Sequence, residues 1–213
     1  MPDAHRSPGR RPRTRLRRAG EGLLLSLVAA GAFAFTVADA RTGPPQPGAV
    51  SGTVVGGRAV APMPAARPLR VVIPELRVDA PLTKLRLQDD GRLAAPPEDD
   101  DNLAGWWADG PVPGTRGTAI VAGHVDIPDG PAVFYGLGAL KPGTTVDITR
   151  ADHRTARFTV DSVDVYASDD FPDRKVYGDT GRPELRLITC GGGYDEERGR
   201  YKGNVVVTAH LSS

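Results

Sequence analysis

Thiol chemistry in this chain has one possible centre, because Cys190 is its only cysteine. It closes the strand-like run "ELRLITC" and is followed by Gly191-Gly192-Gly193. A free cysteine is ordinarily a small buried hydrophobe. A glycine run argues for the reactive alternative, since it lets a substrate backbone approach closely. A thiol nucleophile also needs a proton carrier and a nearby cation. Of the four histidines, His124 is the candidate carrier. It follows the apolar run "GTAIVAG" at a strand end, where a rigid scaffold can present it on a loop. His5 lies in a basic tail, His153 reads as a hairpin tip, and His210 in the last strand reads as structural or surface. Asp126 orients the His124 imidazole or serves as a turn residue before Pro128. Thr189 offers its hydroxyl to substrate or simply favours the strand. No two histidines stand at ligand spacing, so neither a metal nor another cofactor is expected.

These residues need a scaffold, and the chain from Leu69 onward reads as short strands. "LRVVIPELRVDAPL" gives two, broken by Pro74 and Pro81. "GTAIVAG" is compact and apolar enough for a buried strand, and "TTVDITR" alternates after a Pro142-Gly143 turn. In "ARFTVDSVDVY" the alternation slips between Val160 and Val163, which predicts a β-bulge near Ser162. "ELRLITC" and "NVVVTAHL" are the last two strands. The first has Leu185, Leu187 and Thr189 on one face, and Arg186, Ile188 and Cys190 on the other. One short helix is expected near residues 132–140. Of Trp106 and Trp107, one is expected in the core and the other at a groove. The pattern is that of an all-β sandwich or barrel.

The N-terminal part differs in kind. Seven arginines crowd residues 6–18, which with their neighbours form a basic tail, 1–21. Residues 22–38 carry no charge, and a helix of that length reaches roughly 26 Å, near the lower limit for a membrane span. The segment reads as a transmembrane signal-anchor with the basic tail in the cytoplasm. The small-x-small triplet Ala38-Asp39-Ala40 leaves a cleaved signal peptide as the alternative. Residues 39–68 are a linker rich in Pro, Gly and Ala, and residues 69–213 are the folded domain. Either export route puts that domain outside the cytoplasm, where cysteines usually pair, so a lone thiol is notable. With 27 Lys+Arg against 26 Asp+Glu, nothing in the overall charge suggests nucleic acid.

Several segments resemble one family. "LRLITC", "GTAIVAGHVD", "GWW…GPVPGTRGTAIVAGHVD", "DDFPDRKVYG" and "CGGGYDEERGRYKGNVVVTA" occur in the order seen in sortases, class F in particular, over about residues 70–213. The resemblance implies an eight-stranded β-barrel with short helices and a His-Cys-Arg site. It implies a membrane-anchored, extracellular transpeptidase in which Cys190 attacks the Thr–Gly carbonyl of an LPXTG-like sorting signal. The resulting thioester passes to an amine of a peptidoglycan precursor or a pilin lysine. His124 would move the protons, with Thr189, Gly191 and Asp126 about the substrate. Many sortases carry the arginine just before the last apolar strand, where this chain has Asn204. Arg198 is therefore the expected cation, and Arg200 the alternate. A cysteine peptidase on the same barrel and a non-enzymatic wall-associated binding module are the competing readings.

Overall fold

A computed structural model describes residues 43–48 and 60–213. The expected anchor at 22–38 and its basic tail lie outside the described residues. Among the described residues, no helix is long and apolar enough to cross a membrane.

Eight strands close into a barrel in the order β1-β2-β3-β4-β9-β10-β8-β7. They are β1 (Pro68–Ile73), β2 (Val78–Leu85), β3 (Ala104–Trp107), β4 (Gly117–Gly123), β7 (Thr145–Arg150), β8 (Thr155–Ala167), β9 (Pro183–Asp195) and β10 (Arg200–Leu211). A two-stranded ribbon, β5 (Asp126–Ile127) with β6 (Gly130–Pro131), follows His124. One short helix, α1 (Asp173–Tyr177), precedes β9. The expected all-β barrel is present. The helix expected near 132–140 is a single 3-10 turn at Leu137–Ala139.

The pairing that matters most for the site is β4 beside β9, which is parallel, with Ala122 opposite Ile188. A strand buried on both faces reads as a continuous apolar run, and β4 is one. Ala119 and Val121 face the main core, while Ile120 joins a second cluster with Ile188, Val206 and Val176. On β9, Leu185 and Leu187 point into the barrel and Ile188 points outward under α1. The facing pattern expected from alternation holds. Trp106 is in the core, and Trp107 packs beside the second cluster.

Two strand boundaries differ from expectation. Pro81 does not break β2, because β3 begins pairing only at Leu82, so the missing N–H of Pro81 faces no strand on that side. β9 does not end at Cys190. It runs five residues further, paired with β10 from Gly191–Gly203 to Asp195–Arg200. The bulge on β8 falls at Asp161, next to the expected Ser162, where Thr208–Ser162 is followed by Ala209–Val160. The bulged Asp161 receives His210 Nδ1 at 2.7 Å, which gives that histidine a structural role. His153 sits at the β7–β8 turn with φ of 60°.

Part of the expected linker belongs to the barrel. Met63 donates its N–H to Gly114 at 2.8 Å, and Ala151 donates to Arg67 at 2.9 Å. The guanidinium of Arg150, fully buried, binds the Pro64 and Pro113 carbonyls and the Asp152 carboxylate. A buried cation is tolerable only when its donors are taken up in this way.

Candidate active site

Cys190 lies on the outer face of β9 and is exposed. Directly across the β9–β10 ladder stands Asn204, itself opposite Tyr166 on β8. Directly opposed residues share a face. The parallel register on the other side pairs Ala122 with Ile188, and two residues further along each chain segment are His124, just past the end of β4, and Cys190. Cys190, Asn204 and Tyr166 therefore form one row across three strands, and His124 follows the last residue of the neighbouring β4. The amide of Asn204 is half-buried and, among the described residues, takes no side-chain hydrogen bond.

His124 is held at two points and its neighbour Gly123 at a third. Its carbonyl accepts the Phe134 N–H at 3.0 Å. Its Nε2 lies 2.7 Å from the Pro96 carbonyl. A carbonyl can only accept, so Nε2 carries the proton, and Nδ1 in the neutral ring is left as the acceptor. Finally, the Thr189 hydroxyl donates to the carbonyl of Gly123 at 2.8 Å. That bond ties the residue before His124 to the residue before Cys190. Thr189 is only 4% exposed. Its hydroxyl, expected at the substrate, is thus spent on fixing β4 to β9.

Asp126 is also placed differently from the expectation that it orients the imidazole. Pro96 does that work, and Asp126 accepts a short hydrogen bond from the Tyr201 hydroxyl. Tyr201 stacks edge-on against Tyr194, with centroids 5.2 Å apart. Enough protein surrounds the sulfur of Cys190 for burial to push its pKa up, and the nearby Asp126 carboxylate raises it further. The Tyr201 hydroxyl is pushed up as well, by burial and then by its bond to Asp126, with Cys190 and Tyr135 contributing. The thiol, the carboxylate and the phenol thus share one electrostatic environment.

The remaining expected residues lie as follows. Gly191 is buried, and the room left by its missing side chain is filled by Val205, whose Cγ2 would lie 2.6 Å from a Cβ there. Arg198 sits at the tip of the β9–β10 hairpin, 70% exposed, with its guanidinium 3.7 Å from Asp195. Arg200 opposes Asp195 at the start of β10 and is exposed. The Thr189 hydroxyl ties the residue before His124 to the residue before Cys190, Asp126 lies near enough to Cys190 to raise its pKa, and both arginines stay at the β9–β10 hairpin. Sequence reasoning missed three contributors: the Pro96 carbonyl, the Tyr201 hydroxyl and the Asn204 amide as a group in its own right. Tyr201 left a trace in the sequence as an aromatic residue near the start of the last strand, and Asn204 one as the residue at the position where many sortases carry the arginine; the Pro96 carbonyl left none. Among the described residues, no group of three or more His, Cys, Asp or Glu side chains could hold a metal ion.

A family model described as "Sortase domain" matches residues 71–212. No curated protein matches the chain. Among solved structures, sortase A from Corynebacterium diphtheriae superposes with a TM-score of 0.53 at 19% identity. The match covers 70% of this chain and 63% of that one, so this chain spans less than two thirds of that protein's length. A sortase D5 transpeptidase from Clostridium perfringens gives 0.51 at 18% identity, covering 69% and 79%. Sortase C1 from Streptococcus agalactiae gives 0.52 at 18%, covering 69% and 70%. At such identities the structures speak for a shared fold, and the family model, which spans most of the chain, speaks for descent: the chain belongs to the sortase family.

Proposed function

We propose that the chain is a cell-surface cysteine transpeptidase of class F type, single-pass in the membrane with its barrel outside. The observation that supports this reading is the only thiol of the chain, exposed on β9, the strand paired with the β4 that His124 follows. The raised thiol pKa favours a neutral Cys190 at rest. His124 Nδ1 then takes the thiol proton as the sulfur attacks the Thr–Gly carbonyl of an LPXTG-like peptide. The C–N bond breaks, and the imidazolium returns the proton to the departing glycine amine. An amine of a peptidoglycan precursor or a pilin lysine next attacks the thioester and gives its proton to His124. The sulfur leaves and takes the proton back.

The developing oxyanion needs donors. The Asn204 amide, opposite the thiol and unpaired among the described residues, is one already in the row. Arg198 is the arginine proposed to reach a bound peptide, on release from Asp195.

The test mixes the full chain with an LPXTG-containing peptide and a small amine, followed by intact-mass detection. A thioester adduct on the wild type, its absence on Cys190→Ala, and product carrying the amine are expected. Full turnover by Cys190→Ala would end the proposal. Release of the free acid alone, with amine present, would favour the peptidase reading.

A further inference from the structure

A carboxylate is an odd neighbour for a thiol nucleophile, because it opposes the thiolate. Asp126 is that neighbour of Cys190, and among the described residues it pairs with no cation. Its side chain has one hydrogen-bond partner there, the Tyr201 hydroxyl. The bond joins positions 75 residues apart, the start of β10 and the ribbon that follows His124. Register places Tyr201 to make it. Between the pairs Gly191–Gly203 and Tyr194–Tyr201, β9 carries Gly192 and Gly193 where β10 carries Lys202 alone. An extra residue in one strand re-aims the side chains beyond it. Both glycines have positive φ, 75° and 83°, as such an irregularity requires.

The donor is itself well held. The Tyr201 ring packs edge-on against Tyr194, with an interplanar angle of 75°. Its hydroxyl pKa is pushed up by burial and then by the bond to Asp126, so it keeps its proton at any working pH and remains a donor. The titratable groups on the elements around Cys190 are His124 beyond β4, Asp126 of β5, Tyr166 of β8, Asp195 of β9, Tyr201 of β10 and Lys175 of α1. The Lys175 ammonium is engaged elsewhere, 5.1 Å from the Tyr166 ring centroid. Of all these, only Asp126 joins burial in raising the thiol pKa. Whatever fixes the Asp126 carboxylate therefore acts on the sulfur.

We infer that Tyr201 is a positioning residue: its hydroxyl holds the Asp126 carboxylate beside Cys190, so that the resting thiol keeps its proton for His124. The destination of that proton rests on the transpeptidase reading, and the hold on the charge does not. Tyr201 acts through Asp126 and needs no contact with substrate. Without the hydroxyl, the carboxylate is free to turn toward water, where its charge is screened. The thiol then titrates lower. The shift has the same direction as when the charge is removed outright, and it is smaller.

The experiment follows alkylation of Cys190 by iodoacetamide against pH in the full chain, which needs no peptide. Wild type is compared with Tyr201→Phe, Asp126→Asn and the double variant. Phenylalanine keeps the ring against Tyr194, and the unfolding midpoint checks that the fold is kept. At one pH on the rising limb, Tyr201→Phe should react about twofold to fivefold faster than wild type. Asp126→Asn should be faster still, and the double variant no faster than Asp126→Asn. A merely structural tyrosine would lower the midpoint and leave the limb in place. The same chains are assayed for kcat/KM with an LPXTG-containing peptide and a small amine, where the limb reporting the free thiol should move with the alkylation limb. An unmoved or upward-shifted alkylation limb in Tyr201→Phe, or shifts that add in the double variant, overturns the inference and leaves the transpeptidase reading standing. If the alkylation limbs move as expected and no chain turns the peptide over, the hold on Asp126 stands and the transpeptidase reading falls.

Discussion

Replacing Thr189 by valine tests how the reacting pair is held together. Valine keeps the shape of the side chain and its place in the core but removes the hydroxyl that donates to Gly123 at 2.8 Å. The site is 4% exposed, so water cannot readily replace the lost donor. Leaving one end of a buried hydrogen bond unsatisfied costs about 1–3 kcal/mol. With a urea m-value of about 1–3 kcal/mol/M, the unfolding midpoint should fall by roughly 0.5–2 M. The second consequence concerns rate. Gly123 precedes His124 and Thr189 precedes Cys190, so the bond sets the spacing of acid and nucleophile. A misplacement of about 1 Å can cost on the order of 100-fold in rate. Expected is a drop in kcat of about 10- to 100-fold with KM little changed, and recovery of both stability and kcat in Thr189→Ser. A merely structural threonine would move the midpoint and leave kcat intact. A valine variant with wild-type midpoint and wild-type turnover would refute the reasoning altogether.

Two further outcomes follow from the site's charges. Asp126→Asn removes a negative charge that disfavours the thiolate, so the pKa of Cys190 should fall, though burial continues to hold it up. Alkylation by iodoacetamide, which reports on this one cysteine alone, should then rise at lower pH; an unmoved or upward-shifted profile would contradict the carboxylate's role. Arg198→Ala should lose at least about tenfold in turnover and Arg200→Ala much less, with both unfolding midpoints nearly unchanged because both arginines are exposed. If instead Asn204→Ala slows thioester formation and neither arginine variant does, the amide alone serves the oxyanion.

Much of this molecule can be read from its residues because the signals are local. Alternation along "ELRLITC" separates Leu187 from Ile188 correctly, and the slip between Val160 and Val163 locates a bulge to within one residue of Asp161. Cys190 and His124 stand out by type and by their strand context. Other features depend on register between distant strands, which no local pattern records. The glycines after Cys190 suggest an open loop, yet the chain tolerates positive φ at Gly192 and Gly193 and keeps pairing with β10 as far as Asp195. That continuation carries Arg198 out to a hairpin tip. Asp126 lies two residues from His124, near enough to look like its partner, but a hydroxyl from β10 claims it. The Pro96 carbonyl that holds the imidazole comes from the long β2–β3 connection, where backbone carbonyls carry no sequence signature. The Gln46 side chain, which accepts the Gly192 N–H at 3.1 Å, is hidden in a stretch whose composition says only that it is a spacer.

The parallel pairing of β4 with β9 also bears on how the protein comes into being. Parallel neighbours cannot be joined by a tight turn, and here the bond linking them spans 66 residues. Contacts of such high sequence separation carry a large loop-closure cost and form slowly. No continuous fragment shorter than that span can contain both His124 and Cys190. The proposed reacting pair can thus meet only in the closed barrel, and a chain still folding holds Cys190 apart from His124.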